Sequence, residues 1–478
     1  MRKIVSVLTL LLVLWTLCGC SAFTSAGPSE EGEGSSAIEA AAPVEPSAPS
    51  PSPSPMPTPK PEPVTVAGQV VRASKSVFEL RLEDGSALTV VLTDETQVTG
   101  DALLDGCQAA VTYDKNARTM DTVPALAVEL TAPEEKDTLT PEELLSSMTL
   151  EEKVGQLFFV RVPKEEAAEV AARYQFGGYI LFGRDFADKT RDQVREDIQS
   201  YQDSVGVPML IGVDEEGGTV VRVSSNPALC SEPYLSPRQL YEQGGLDLAA
   251  SVEQEKIHTL QDLGINVNFA PVCDVTQEEG AFMYDRSLGR DPETTADYVK
   301  RIVSLYGENG MGCVLKHFPG YGNNEDTHTG VALDERPYDV FRQQDFLPFQ
   351  AGIQAGAGCV LVCHNIVSCG DGERPASLSP EWHRVLREEL GFTGCIITDD
   401  LVMDAIQQYC DASSAAVQAV LAGNDLLCCS DYETQFPAVL AAVENGQIPE
   451  ERIDQSVLRV LRWKEELGLL EERNASQN

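Results

Sequence analysis

From about residue 138 the chain alternates two patterns. Short, continuous apolar runs are followed by longer stretches in which apolar residues recur at helical spacing. Eight runs read as buried strands: "LFFVRV", "GGYILF", "PMLIGVD", "INVNFAPV", "GCVLKH", "GCVLVCH", "GCIITDD" and "NDLLCC". A strand covered by helices on both faces is apolar throughout rather than alternating. Eight such runs separated by helical stretches predict an α/β fold, a (β/α)8 TIM-type barrel over 138–472. A doubly wound open sheet is the alternative, but no glycine-rich dinucleotide turn follows any run. Thr149 and Glu152 have the spacing of a capping box that opens a helix.

Residues 63–132 follow a different rhythm. "VTVAGQVVRA", "VFELRLEDGSALTVVLT" and "CQAAVTYD" alternate apolar and polar positions and are rich in Val and Thr. They predict a small antiparallel β domain of barrel or sandwich type, with a hairpin at Asp84-Gly85. Its role reads equally as a spacer or a binding module. Residues 21–62 are rich in Pro and Ser and predict an extended, disordered linker. Residues 1–20 carry Arg2 and Lys3 ahead of an apolar run too short to span a bilayer comfortably, the layout of an export signal. The run ends in "LCGC", which resembles the bacterial lipoprotein cleavage box. That resemblance implies a lipid on Cys20 and an extracytoplasmic chain tethered to the membrane; an ordinary secretory signal is the alternative.

Hydrophobic residues make up 42% of the chain, enough for a large core. Acids outnumber bases by 75 to 35, a formal net charge of −40. Phosphate backbones require clustered Lys and Arg, so the balance argues against a nucleic-acid partner. The acids are spread along the chain, as on a solvated surface. Of 13 cysteines, several sit inside apolar runs and none has zinc-site spacing. They read as small buried hydrophobes, with no metal and no cofactor expected.

Polar groups recur where the apolar runs end. "LIGVD" ends in Asp214 and continues to Arg222. "NFAPVCD" ends in Asp274, "CVLKH" in Lys316 and His317, "CVLVCH" in His364, and "CIITDD" in Asp399 and Asp400. In a barrel, the C-terminal ends of the strands build the site, so five such endings at one rim predict a polar pocket. Only five histidines exist in the chain, and two fall in "KHFPGYGNNEDTHTG", which also presents Asp326 two residues before His328.

The set "MTLEEKVGQL", "GVDEEGGTVVR", "NFAPVCDV", "DRSLGRDPE", "KHFPGYG", "DTH", "GFTGCIITDDLVMDAI" and "AGNDLL" resembles glycoside hydrolase family 3, and within it the bacterial β-N-acetylglucosaminidases. The likeness covers about residues 140–470. It implies a retaining, two-step hydrolysis with Asp399 as nucleophile, His328 as acid/base and Asp326 holding the imidazole. It implies that Asp214, Arg222, Arg286, Lys316 and His317 bind the sugar, while Asp274 and His364 support them. Arg286 has a structural alternative, an ion pair with Asp285 or Asp291. The substrate implied is a GlcNAc-containing oligosaccharide or muropeptide, cut by a monomer. The chain departs from the subgroup in carrying Tyr321 after "FPG". The Gly and Asn residues of this loop are expected to act as a hinge, with Asp326 and His328 standing away from Asp399 until a sugar binds.

Other readings use the same residues. A neutral imidazole would not repel phosphate, so a GlcNAc phosphorylase is a close variant. A β-glucosidase of the same family is less consistent, since such members usually carry a further α/β domain that supplies the acid/base. A wall-binding lipoprotein without activity and a metallohydrolase using His317, Asp326 and His328 are the remaining alternatives.

Overall fold

The computed structural model describes residues 61–470, apart from 74–75, 83–84, 94, 101, 104–105, 120–121, 132–138, 325 and 328–329. The expected export signal with Cys20, nearly all of the expected linker, Asp84 and His328 therefore lie outside the described residues.

Six strands form the first sheet: β1 (Pro63–Ala73), β2 (Val77–Leu82), β3 (Ala87–Val91), β4 (Gln97–Gly100), β5 (Gln108–Asp114) and β6 (Thr122–Thr131). Every second residue of β5 is buried, as a half-solvated sheet requires. Val70, Phe78, Leu80, Val90, Val111, Val123, Val128 and Leu130 share one core. β2 and β3 pair antiparallel around Gly85, whose φ of 82° suits a tight turn. Antiparallel pairing also joins β1 to β2 and β5, and β5 to β6. The sheet is not antiparallel throughout, because β6 runs parallel to both β3 and β4. β3 and β4 are successive stretches of one path along β6, separated by a jog. Thr96 pins the jog, taking a hydrogen bond from the Thr93 amide at 2.8 Å and donating to the Ala125 carbonyl at 2.7 Å. With β3 back on β6, the sheet closes into a ring.

The remaining strands are β7 (Phe158–Arg161), β8 (Gly178–Leu181), β9 (Leu210–Val213), β10 (Val267–Asn268), β11 (Gly312–Phe318), β12 (Leu333–Asp334), β13 (Cys359–Val362), β14 (Ile366–Val367), β15 (Cys395–Thr398) and β16 (Leu427–Cys429). β12 and β14 form a short parallel pair of their own. The other eight make one parallel sheet in the order β15-β13-β11-β10-β9-β8-β7-β16. Contacts between Ile396 or Ile397 of β15 and Leu426, just before β16, bring the two edges together. These eight strands are the eight apolar runs of the sequence. The Thr149–Glu152 capping box opens the helix Leu150–Gln156 that precedes β7.

The barrel interior is filled rather than open. Phe159 and Phe269 meet edge to face at 5.3 Å between ring centroids. Gly178 and Gly212 make room for them: a Cβ at Gly212 would lie 2.7 Å from the Phe269 ring, and one at Gly178 2.8 Å from Phe159. Ile180, Leu210, Val314, Cys359, Leu361, Cys395, Ile397 and Cys428 join the same cluster. Trp463, on the helix Glu450–Glu466, also packs into it.

Candidate active site

Above this plug lies a cavity of about 600 Å³ whose lining includes Asp214, Arg222, Arg286, Lys316, His317, Asp326 and Asp399. Within the described residues, all those expected to act in catalysis or to bind the sugar line it, whereas Asp274 and His364 do not. Phe269 and Leu361 line it as well as belonging to the interior cluster, so the plug is its floor.

One wall of the cavity is a chain of charge. Lys316, at the end of β11 and almost fully buried, donates to Asp214 Oδ1 and lies beside Glu216 Oε1, both at 2.6 Å. Glu216 in turn takes Arg286 Nη2 at 2.7 Å and Nε at 2.9 Å. Arg286 therefore pairs with Glu216, not with Asp285 or Asp291; Asp291 instead caps the helix Pro292–Glu308. Burial pushes the Glu216 carboxyl up, but Arg286 and Lys316 outweigh it and hold the group well below the usual carboxylate range. Breaking a buried pair of this kind by removing one partner costs about 3–5 kcal/mol.

His317 extends the chain. Arg286 Nη2 lies 3.1 Å from His317 Nε2, and Asp274 Oδ2 lies 2.7 Å from His317 Nδ1. A guanidinium can only donate, so Nε2 accepts and Nδ1–H donates to Asp274. Asp274 also receives the His317 and Tyr321 amides at 3.1 and 2.7 Å. With both ring nitrogens occupied, His317 braces Arg286 and is a poor metal ligand. The supporting role expected of Asp274 matches these contacts.

Glu215, fully buried, shapes the next turn. It accepts the Arg222 and Val223 amides at 2.7 Å and the Ser224 hydroxyl at 2.5 Å, which fixes the backbone bearing Arg222. The Arg222 guanidinium lies 5.7 Å from the Phe182 ring centroid, and that of Arg161 lies 4.1 Å from it. Neither forms an ion pair with a carboxylate among the described residues.

Asp399 follows β15, its amide held by the Val362 carbonyl. Its Oδ1 accepts the Asp400 amide at 2.9 Å. Asp400 takes the Ser430 hydroxyl at 2.6 Å and the Val402 amide at 3.2 Å, while His364 Nε2 donates to the Asp400 carbonyl at 3.1 Å. Burial pushes the Asp400 carboxyl up, with the Asp399 charge adding to the rise. His364 and Asp400 thus fix the turn that presents Asp399.

The loop after β11 is held at several of its described residues. Asn323 accepts from Thr276 at 2.8 Å, and Asn324 donates to Asp334 at 2.6 Å. The Tyr321 hydroxyl meets the Thr327 hydroxyl at 2.5 Å, and the Thr327 carbonyl accepts the Ala405 amide at 3.4 Å. Asp326 lines the same cavity as Asp399. Side-chain bonds from neighbouring segments hold both asparagines of the expected hinge, and His328, the other half of the expected dyad, lies outside the described residues.

Sequence reasoning did not single out Glu215, Glu216, Arg161, Phe182 or Arg336. Arg161 carried a usable signal, since it is the one charged residue inside the apolar run "LFFVRV" and falls at the last position of β7. Glu216 carried little, because it is the third of three consecutive acids and its partner Arg286 lies 70 residues away.

A family model described as "Glycosyl hydrolase family 3 N terminal domain" matches residues 149–463. The β-hexosaminidase of Nitrosomonas eutropha is 32% identical over 293 residues, 59% of this chain and 83% of that protein. The β-hexosaminidase of Xanthomonas campestris pv. campestris is 37% identical over 233 residues, 48% of this chain and 69% of that protein. Among solved structures, a glycoside hydrolase family 3 β-N-acetylglucosaminidase from Paenibacillus sp. is similar with a TM-score of 0.63 at 32% identity, covering 68% of this chain and 63% of that one. A glycosyl hydrolase of the same family from Mycobacterium smegmatis is similar with a TM-score of 0.61 at 30% identity, covering 67% and 98%. The matched span begins at the capping box ahead of β7 and ends within the last helix beneath the barrel, so the whole barrel belongs to glycosyl hydrolase family 3 and the chain is a glycoside hydrolase.

Proposed function

We propose that this chain is a retaining, exo-acting β-N-acetylglucosaminidase that removes terminal GlcNAc from cell-wall-derived or similar glycans. The observation that carries the reading is that Asp399 and Asp326, borne on separate segments, line one cavity with Asp214, Lys316 and Arg286, the last two bridged by Glu216. The names of the similar proteins support the choice of sugar. In this reading Asp399 attacks the anomeric carbon and forms a glycosyl ester, the developing positive charge on the sugar being met by its carboxylate. His328 protonates the leaving oxygen and then removes a proton from water. An imidazole, with its ordinary pKa near 6.5, serves both steps. Asp326 orients the ring and stabilises the imidazolium. The polar network fixes the hydroxyls and amide of the sugar.

The test is a panel of aryl GlcNAc and aryl glucosides with the parent chain, Asp399→Asn and His328→Ala. Parent activity on N-acetylglucosaminides, and its loss in Asp399→Asn by on the order of 1,000-fold or more, are expected. Equal rates for parent and both variants would reject the mechanism. Phosphorolysis is a second reading favoured by one observation: Arg161 and Arg222 bring to the cavity two guanidiniums that form no ion pair within 4 Å among the described residues, a setting suited to a phosphate acceptor. Repeating the panel with phosphate decides it, since only this route yields the sugar 1-phosphate.

A further inference from the structure

Arg336 sits where the loop after β11 returns to the barrel. Its Nε lies 3.0 Å from both carboxylate oxygens of Asp334, and its Nη2 donates to Asp334 Oδ2 at 2.7 Å. Nη1 reaches both oxygens of Asp345 at 3.1 and 2.9 Å. Nη2 also donates to the Gly320 carbonyl at 3.0 Å. The guanidinium thus reaches both oxygens of each carboxylate and the carbonyl together, a spread of contacts that its planar fork of five donors permits and the three donors of a single ammonium nitrogen do not.

The three groups belong to different parts of the chain. Gly320 lies at the outgoing stem of the loop. Asp334 lies in β12 at the returning stem, where the β12–β14 pairing fixes the backbone. Asp345 is fully buried and stands on the helical segment that follows. Close approach is built in by glycine: a Cβ at Gly320 would lie 2.2 Å from Asp345 Oδ1, and one at Gly322 2.6 Å from the Arg336 guanidinium carbon. Asp334 holds the loop further out through Asn324.

We propose that Asp334, Arg336 and Asp345 form a clasp on the neck of the 320–334 loop that positions the acid/base dyad for proton transfer. None of the three lines the cavity, so they act through Asp326 and the residues that follow it. The proposal rests on the reading of Asp326 and His328 as the dyad. A loosened clasp affects only steps that need a proton moved. Cleavage of a substrate with a poor leaving group needs the acid. Cleavage of one with a strongly activated leaving group, such as 2,4-dinitrophenolate, does not.

The experiment compares kcat/KM for phenyl and 2,4-dinitrophenyl GlcNAc in the full chain, in Arg336→Gln and in Arg336→Lys, with thermal unfolding to verify folding. Loss with the phenyl substrate on the order of 10-fold or more, and less than about 3-fold with the dinitrophenyl substrate, is expected in both variants. Equal losses on the two substrates, or a parent-like Arg336→Lys, would overturn the proposal. If Arg336→Gln does not fold, Arg336→Lys decides alone, since it keeps the charge but not the fork. His328→Ala, run in parallel, separates the two ideas. A leaving-group split in His328→Ala without one at Arg336 removes the clasp and leaves the dyad; no split in His328→Ala removes the dyad itself.

Discussion

Asp345 shows how one buried carboxyl links the site to pH. Burial pushes its pKa up to about 7, against the pull of Arg336 and with help from Asp274 and Asp334. The unfolded chain has the ordinary value of 3.8. Between these values the folded state binds the extra proton, so this group's contribution to stability is present at low pH and is lost as pH rises through the window. Asp345→Asn removes that slope, which approaches about 1.4 kcal/mol per pH unit for a single group. Urea unfolding from pH 4 to 7 measures it; the variant should show a smaller fall in stability over this range than the parent, and an identical profile would contradict the assignment. Glu216 is the opposite case: two cations hold it ionised at a comparable depth. The difference was not legible in the sequence, because it depends on how many cations fold onto each acid. Asp345 shares Arg336 with Asp334, whereas Glu216 has Arg286 and Lys316.

At the scale of elements, the strand ends were the most legible feature. A buried apolar run that stops at an acid or a histidine has to place that group at the rim, and Asp214, Asp274, Lys316, His317, His364 and Asp399 all end there. The loop was legible in its residue types but not in its contacts. Gly and Asn suggested a hinge, yet the same small residues let Arg336 and Asp345 approach Gly320 and Gly322 and let Asn324 bond Asp334. Tyr321 is the clearest case, since its ring stacks edge to face on His317 at 5.3 Å while its hydroxyl holds Thr327. Tyr321→Phe leaves the buried Thr327 hydroxyl without that partner, at a cost of about 1–3 kcal/mol. The loss is confined to the loop. Hydrogen exchange should therefore quicken across residues 321–330 and stay unchanged in β13 and β15; a uniform increase would show that the bond supports the whole barrel instead.

For the molecule as a whole, eight apolar runs sufficed for the barrel because parallel strands are buried on both faces and leave a continuous signature. The first sheet was harder. Alternation announced its strands, but the parallel seams at β6 depend on Thr96 turning the chain along β6 rather than away from it, a contact between residues 29 apart. The aromatic plug also went unread, since Phe159 and Phe269 look like any other strand residues until Gly178 and Gly212 are seen to yield them space. That plug makes the cavity a cul-de-sac. Whatever enters leaves by the mouth through which it came, so in the proposed reaction departure is ordered: the aglycone goes first and the freed sugar, seated on Phe269, goes last. Product GlcNAc should accordingly compete with substrate for the free enzyme, whereas the aglycone alcohol should not. A noncompetitive pattern for GlcNAc in initial-rate inhibition would contradict this order of departure.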